Sequence, residues 1–190
     1  MKQSKKLWIA LAVLFLVLLS VDSYGQRRKQ YFRRQNASAR HIGGMKSFDA
    51  SFFLTEHGQQ YRLGGMYYIL TNNSVRAGFT YERATMFEEN IDVARYTIDG
   101  GYAFTITDFN GVVFINALGG VNLQYSTSNE DRNFNFPQPF NVGLFLGPEL
   151  EFFAGGGLSL FINGQQAFYF LDGWGRWQYN AGLGLRYNMK

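Results

Sequence analysis

Cysteine is absent from all 190 residues. A secreted chain built this way has no disulfide to hold it, and no thiolate to bind a metal or attack a substrate. Histidine occurs only at His41 and His57, one in a polar stretch near the start and one in a tight turn. Both are expected to be solvated, with no second metal ligand at useful spacing. Lysine nearly disappears after Lys46, returning only at Lys190. Beyond the first 25 residues no apolar run is long enough for a membrane helix. No H-E-x-x-H, P-loop or G-x-S-x-G string occurs, which removes the common metallohydrolase, nucleotide-binding and serine-hydrolase signatures. Glycine clusters at Gly155–Gly157 and Gly182-x-Gly184 open no helix, and on a sheet wall they serve close packing or bending. No catalytic residue, cofactor site or metal site is expected.

What is present begins with Lys2, Lys5 and Lys6, followed by the apolar run Leu7–Val21 and the small-residue exit Ser23-Tyr24-Gly25. This order predicts a secretory signal peptide over residues 1–25, with Gln26 opening the mature chain. The apolar run spans 15 residues, fewer than the ~20 of a spanning helix. With no cysteine after it, a lipid-modified start is not expected.

Charge divides the mature chain in two. Gln26–Lys46 carries Arg27, Arg28, Lys29, Arg33, Arg34, Arg40 and Lys46 and no acid, giving +7. From Ser47 onward 8 basic and 13 acidic residues give −5. Residues 26–45 show neither helical nor strand periodicity. They read as a solvated basic leader, or as an arm for an anionic partner. Direct binding of nucleic acid is not expected, because only Tyr31 and Phe32 interrupt the charge.

From Lys46 the hydropathy alternates with the period of a strand. In Trp177-Tyr179-Ala181-Leu183-Leu185-Tyr187-Met189 every residue is apolar or aromatic, and the interleaved Arg176-Gln178-Asn180-Gly182-Gly184-Arg186-Asn188 are polar or glycine. Similar alternation predicts strands over 46–56, 60–71, 74–86, 92–106, 111–126, 140–153, 157–169 and 175–189. Soluble strands average about half the length of the last of these, whereas a membrane strand needs ~9–11 residues. Thr71–Ser74, Thr107–Gly111 and Ala154–Gly156 read as short turns, and Thr85–Ile91 and Ser126–Pro139 as longer loops between them. The connections Glu56–Gln59 and Leu171–Trp174 are short for outer loops. Loop Ser126–Pro139 displays Phe134 and Phe136, and reads as a mobile loop or a contact patch for another protein.

The expected fold class is all-β: a transmembrane antiparallel up-and-down β-barrel of about eight strands. Its apolar face meets lipid and its polar face lines the interior. Tyr81, Tyr102, Phe104, Tyr125, Phe152, Trp177 and Tyr187 lie toward strand ends on the apolar face, as interfacial girdles do. The inward set is expected to hold Asp49, Arg62, Arg76, Glu82, Arg95, Asp99, Glu149, Glu151, Arg176 and Arg186. Five acids facing five arginines predict a mutual, structural network that closes the lumen, because lone buried charges are costly. Glu149 and Glu151 share a face and are expected in ion pairs rather than as an acid pair for catalysis.

Several of these strings also carry a resemblance. Ala77-Gly78-Phe79-Thr80-Tyr81-Glu82, Tyr96-Thr97-Ile98-Asp99-Gly100-Gly101-Tyr102, Gly147-Pro148-Glu149-Leu150-Glu151 and Ala181-Gly182-Leu183-Gly184-Leu185-Arg186-Tyr187-Asn188 follow one another as in the TraO family, conjugal transfer proteins of Bacteroidetes conjugative transposons. The chain resembles that family along its whole length. It departs from it at the end, Met189-Lys190, where Tyr187 is the last aromatic. The resemblance implies an outer-membrane component of a conjugation apparatus, with membrane lipid and other transfer proteins as partners. The family motif carries no catalytic residues. A generic small barrel acting as adhesin, surface-exclusion factor or narrow channel is the alternative. A secreted soluble barrel carrying a small apolar ligand is a third.

Overall fold

A computed structural model describes residues 41–86, 91–128, 139–171 and 176–189. The expected signal peptide, the leader up to Arg40 and the centre of the Ser126–Pro139 loop, with Phe134 and Phe136, lie outside these residues.

Alternation fixes the architecture. A strand with one greasy and one polar face must turn each toward a matching medium, and closure removes every unpaired edge. The eight strands are β1 (Lys46–Thr55), β2 (Gly58–Leu70), β3 (Asn73–Met86), β4 (Ile91–Phe109), β5 (Val113–Ser128), β6 (Phe140–Gly155), β7 (Leu158–Tyr169) and β8 (Trp177–Met189). They form a closed barrel in sequence order, each antiparallel to its neighbours. β8 returns to β1, pairing Met189 with Lys46 and Asn180 with Thr55. The start of β1 and the end of β8 therefore share one rim, called here the terminal rim; the other is the far rim.

The faces are assigned as in a membrane barrel. Leu183 and Leu185, which would be core residues in a soluble sandwich, are 56% and 53% exposed. Phe48, Leu63, Ile98 and Leu146 are exposed on neighbouring parts of the wall, while Asp49, Arg62, Asp99 and Glu149 near them in sequence are buried. A water-soluble protein has the opposite arrangement. The chain is a transmembrane β-barrel, and the reading as a soluble carrier is set aside by this apolar exterior. Aromatics gather near both rims of the outer surface. Tyr81 with Tyr96 and Tyr125 with Phe140 pair toward the far rim, at 5.5 and 4.9 Å between ring centroids. Tyr67, Tyr102, Phe104 and Tyr187 are exposed toward the terminal rim.

Differences from the expected boundaries are local. β4 runs on to Phe109, through Thr107 and Asp108, where the sequence predicts a turn. A register shift between Thr105 and Thr107 lets the ladder continue, pairing Phe109 with Val113. The turn then shrinks to Asn110–Val112. Asn110 and Gly111 have φ of 54° and 61°, and Gly111 N donates to Asp108 Oδ2 at 3.1 Å. The β6–β7 turn uses three consecutive positive-φ glycines, Gly155 to Gly157, a conformation open to glycine at little cost. At the far rim β1 and β2 are joined by Glu56 and His57 alone. There Gly58 N donates to Thr55 Oγ1 at 3.0 Å.

Candidate functional site

The candidate site is the lumen. Inward positions bring side chains from all eight strands into one narrow space, and the charged ones fall into three groups along the barrel axis.

Nearest the far rim, Glu82 and Arg95 sit directly opposite each other on β3 and β4. Arg95 Nη2 donates to Glu82 Oε1, and Thr55 Oγ1 donates to the same oxygen at 2.6 Å. Arg95 Nη1 also reaches Gln178 Oε1 at 3.2 Å. Around this pair lies a vestibule open toward the far rim, with Gln124, Gln165, Gln178 and Asn180 in its wall, and it reaches as far as Arg62 and Asp99.

In the middle, Arg62 takes Asp99 bidentately, Nε to Oδ1 and Nη2 to Oδ2, both at 2.9 Å. Its Nη1 donates to Asp49 Oδ1. Planar two-point recognition of this kind is a property of guanidinium that ammonium lacks. Arg76 stands beside this group. Its Nε is 3.9 Å from Asp99 Oδ2, and its guanidinium carbon is 6.0 Å from the centre of the Phe145 ring.

Nearest the terminal rim, Arg186 bridges two acids. Nη1 and Nη2 donate to Glu149 Oε1 and Oε2, both at 3.0 Å, and Nη1 also meets Glu151 Oε2 at 2.5 Å. Asn116 Nδ2 donates to Glu149 Oε1 at 3.1 Å. The Arg186 guanidinium lies over the face of Phe161, 4.7 Å from its centre, a cation–π arrangement strengthened by exclusion of water. Arg186, Glu149 and Glu151 are almost wholly removed from solvent.

The expected inward set is thus brought together with one exception. Asp49, Arg62, Arg76, Glu82, Arg95, Asp99, Glu149, Glu151 and Arg186 line the interior. Arg176 does not. It precedes β8 at the far rim and is exposed. Its alternation parity matches Gln178 and Asn180, but parity gives direction only, and at a barrel mouth an inward direction opens onto water. His41 corrects the reading in the other sense: it is 4% exposed, and its Nε2 lies 3.1 Å from Glu151 Oε2, in hydrogen-bonding contact. His57 is half-buried in the tight β1–β2 turn.

Alternation also concealed a band of inward apolar side chains. Met45, Met66, Tyr68, Ala103, Leu118, Phe145, Ala167 and Tyr169 form one buried cluster, and Phe53 and Phe161 are buried too. Inward glycines are the signal that could have revealed them. A Cβ on Gly120 would come within 2.8 Å of the Phe145 ring, and one on Gly182 within 2.5 Å of the Phe53 ring. Each large ring is accommodated by a residue without a side chain on a neighbouring strand. Salt bridges and rings together fill the lumen below the vestibule, as the width of an eight-stranded barrel requires.

No family model and no curated protein matches the chain. Solved structures with the same fold do. Neisserial surface protein A (NspA) superposes with a TM-score of 0.60 at 12% identity, covering 75% of this chain and 95% of its own. The N-terminal β-barrel domain of Pseudomonas aeruginosa OprF gives 0.58 at 12% identity, covering 77% and 98%. A major outer membrane protein from Thermus thermophilus gives 0.56 at 14% identity, covering 76% and 99%. The architecture is that of the small eight-stranded barrels of outer membranes.

Proposed function

We propose that this barrel sits in an outer membrane, after secretion through its signal peptide, and serves as a non-catalytic structural and interaction component of a conjugative transfer apparatus. The observation that carries the non-catalytic, non-conducting part is the filled lumen. Arg62, Arg95 and Arg186 each hold carboxylates at hydrogen-bonding distance, and buried apolar side chains including Phe145 and Tyr169 pack the lumen beside them. A barrel built this way is a rigid anchor. Its working surfaces are then the basic leader, in the periplasm, and the loops at the far rim, outside.

The conjugation part is supported by the resemblance to the TraO family along the chain. Its partners would be membrane lipid and other transfer proteins of the envelope. Deleting the gene from a conjugative element tests it: mating frequency should collapse and return when the gene is supplied in trans. Undiminished mating ends this reading and leaves the generic surface barrel. Copurification from envelopes should then bring down transfer proteins with the tagged barrel.

A further inference from the structure

Residues before β1 enter the barrel mouth. The His41 ring stacks on Tyr68 of β2 with 4.7 Å between centroids, and packs against Phe114 of β5 at 4.1 Å. Thr105 Oγ1 of β4 lies 3.4 Å from Nδ1, while Nε2 meets Glu151. Met45 is buried as well. The turn between them closes through Met45 N to Ile42 O at 3.0 Å, and is stitched to β2 by Gly44 N to Tyr68 O at 2.7 Å and Tyr68 N to Met45 O at 2.9 Å.

The interior charges explain why a histidine belongs there. Among the described residues the buried acids are Asp49, Glu82, Asp99, Glu149 and Glu151, and the buried arginines are Arg62, Arg76, Arg95 and Arg186. Five carboxylates face four guanidiniums. The deficit falls at the terminal rim, where Arg186 is shared between Glu149 and Glu151, and there His41 makes its contact. We propose that His41 is the fifth cation of the lumen, and that its protonation latches residues 41–45 onto the barrel mouth.

Among the described residues, the titratable and charged groups around His41 are Glu151 and Glu149 from β6, Arg186 from β8 and the Tyr68 hydroxyl from β2; β4 and β5 contribute Thr105, Asn116 and Phe114, which do not titrate. Imidazole is the side chain that ordinarily changes charge between about pH 5 and 8. The imidazolium balances Glu151. A neutral ring keeps an N–H to donate but leaves Arg186 facing two buried carboxylates. Protonation of His41 therefore tightens the latch, and loss of that proton loosens it. The device is independent of the transfer role proposed above: it needs only the folded barrel.

The test uses the mature chain refolded in detergent micelles. Only two imidazoles occur in the sequence, so proton–nitrogen spectra resolve both, with His57→Gln assigning them. Amide hydrogen exchange at Gly44 and Tyr68, corrected for intrinsic rates, reports the latch. Protection at both amides should fall roughly tenfold as His41 loses its proton, with a common midpoint. His41→Ala should lack the protection at every pH, and Glu151→Gln should remove the pH dependence. Should His41→Ala not fold, His41→Gln keeps a hydrogen-bonding group without the charge, and should behave as the unlatched form at low pH. Protection that stays constant while His41 titrates, or a His41→Gln variant as protected as the parent at low pH, overturns the proposal.

Discussion

Gly78 lies opposite Gly64 across β3 and β2, and a Cβ on either would strike the guanidinium of Arg62. The pair clears the seat in which Arg62 spans Asp49 and Asp99. A flexible arginine could ordinarily move aside. This one is held at three nitrogens, so the collision must break ion pairs. Gly78→Ala should cost about 1–3 kcal/mol through this displacement. In an Arg62→Met background the same change should be nearly neutral. Urea unfolding in lipid vesicles measures the four corners of the cycle, and simple additivity would refute the coupling.

Burial, rather than distance, should decide what an ion pair contributes. Arg186 meets Glu149 at 3.0 Å inside the barrel, and Arg83 meets Asp92 at the same 3.0 Å outside it, where both are largely exposed. Arg186→Met leaves Glu149 and Glu151 buried without that cation and should destabilise the barrel by about 3–5 kcal/mol. Arg83→Ala should leave the unfolding midpoint where it was. The two variants, unfolded side by side in urea, check the contrast.

Ile98 stands midway along β4 on the outer surface, 60% exposed. If that surface meets hydrocarbon, Ile98→Arg should destabilise the folded barrel by about 2–4 kcal/mol. In a soluble protein an exposed arginine there would be harmless. The yield of heat-modifiable, folded barrel in vesicles against that in micelles reports which solvent the residue meets, and equal yields would count against the membrane orientation.

The packed lumen should not pass ions. Reconstituted into a planar bilayer, the barrel is expected to give no stepwise conductance at neutral pH, and Phe145→Ala combined with Arg62→Ala should begin to leak. Steady conductance by the unaltered protein would support the narrow-channel alternative instead.

Much of the barrel was legible because lipid and lumen impose a two-residue rhythm that no other environment sustains over such lengths. β8 illustrates it: its outward residues from Trp177 to Tyr187 and its inward Arg186 and Asn188 fall where alternation puts them. Rhythm is silent about three matters. It cannot tell where along a strand the interior ends, which is why it places Arg176 in the interior although the residue is exposed at the far rim. It does not describe residues outside the strands, so the entry of His41 into the mouth was missed. It also marks an inward phenylalanine as an interruption rather than a feature. Phe145 and Phe161 become intelligible only beside the glycines across from them, and that pairing depends on register, which pattern alone does not supply.

Lys46 and Met189 are partners across the seam between β1 and β8. These are the barrel strands farthest apart in the chain, so the first keeps a bare edge until the last one is in place. A transcript cut short yields an open ribbon that no local rearrangement can seal. Completion of the wall thus doubles as proofreading: only a chain that carries β8 can shield its own backbone from hydrocarbon.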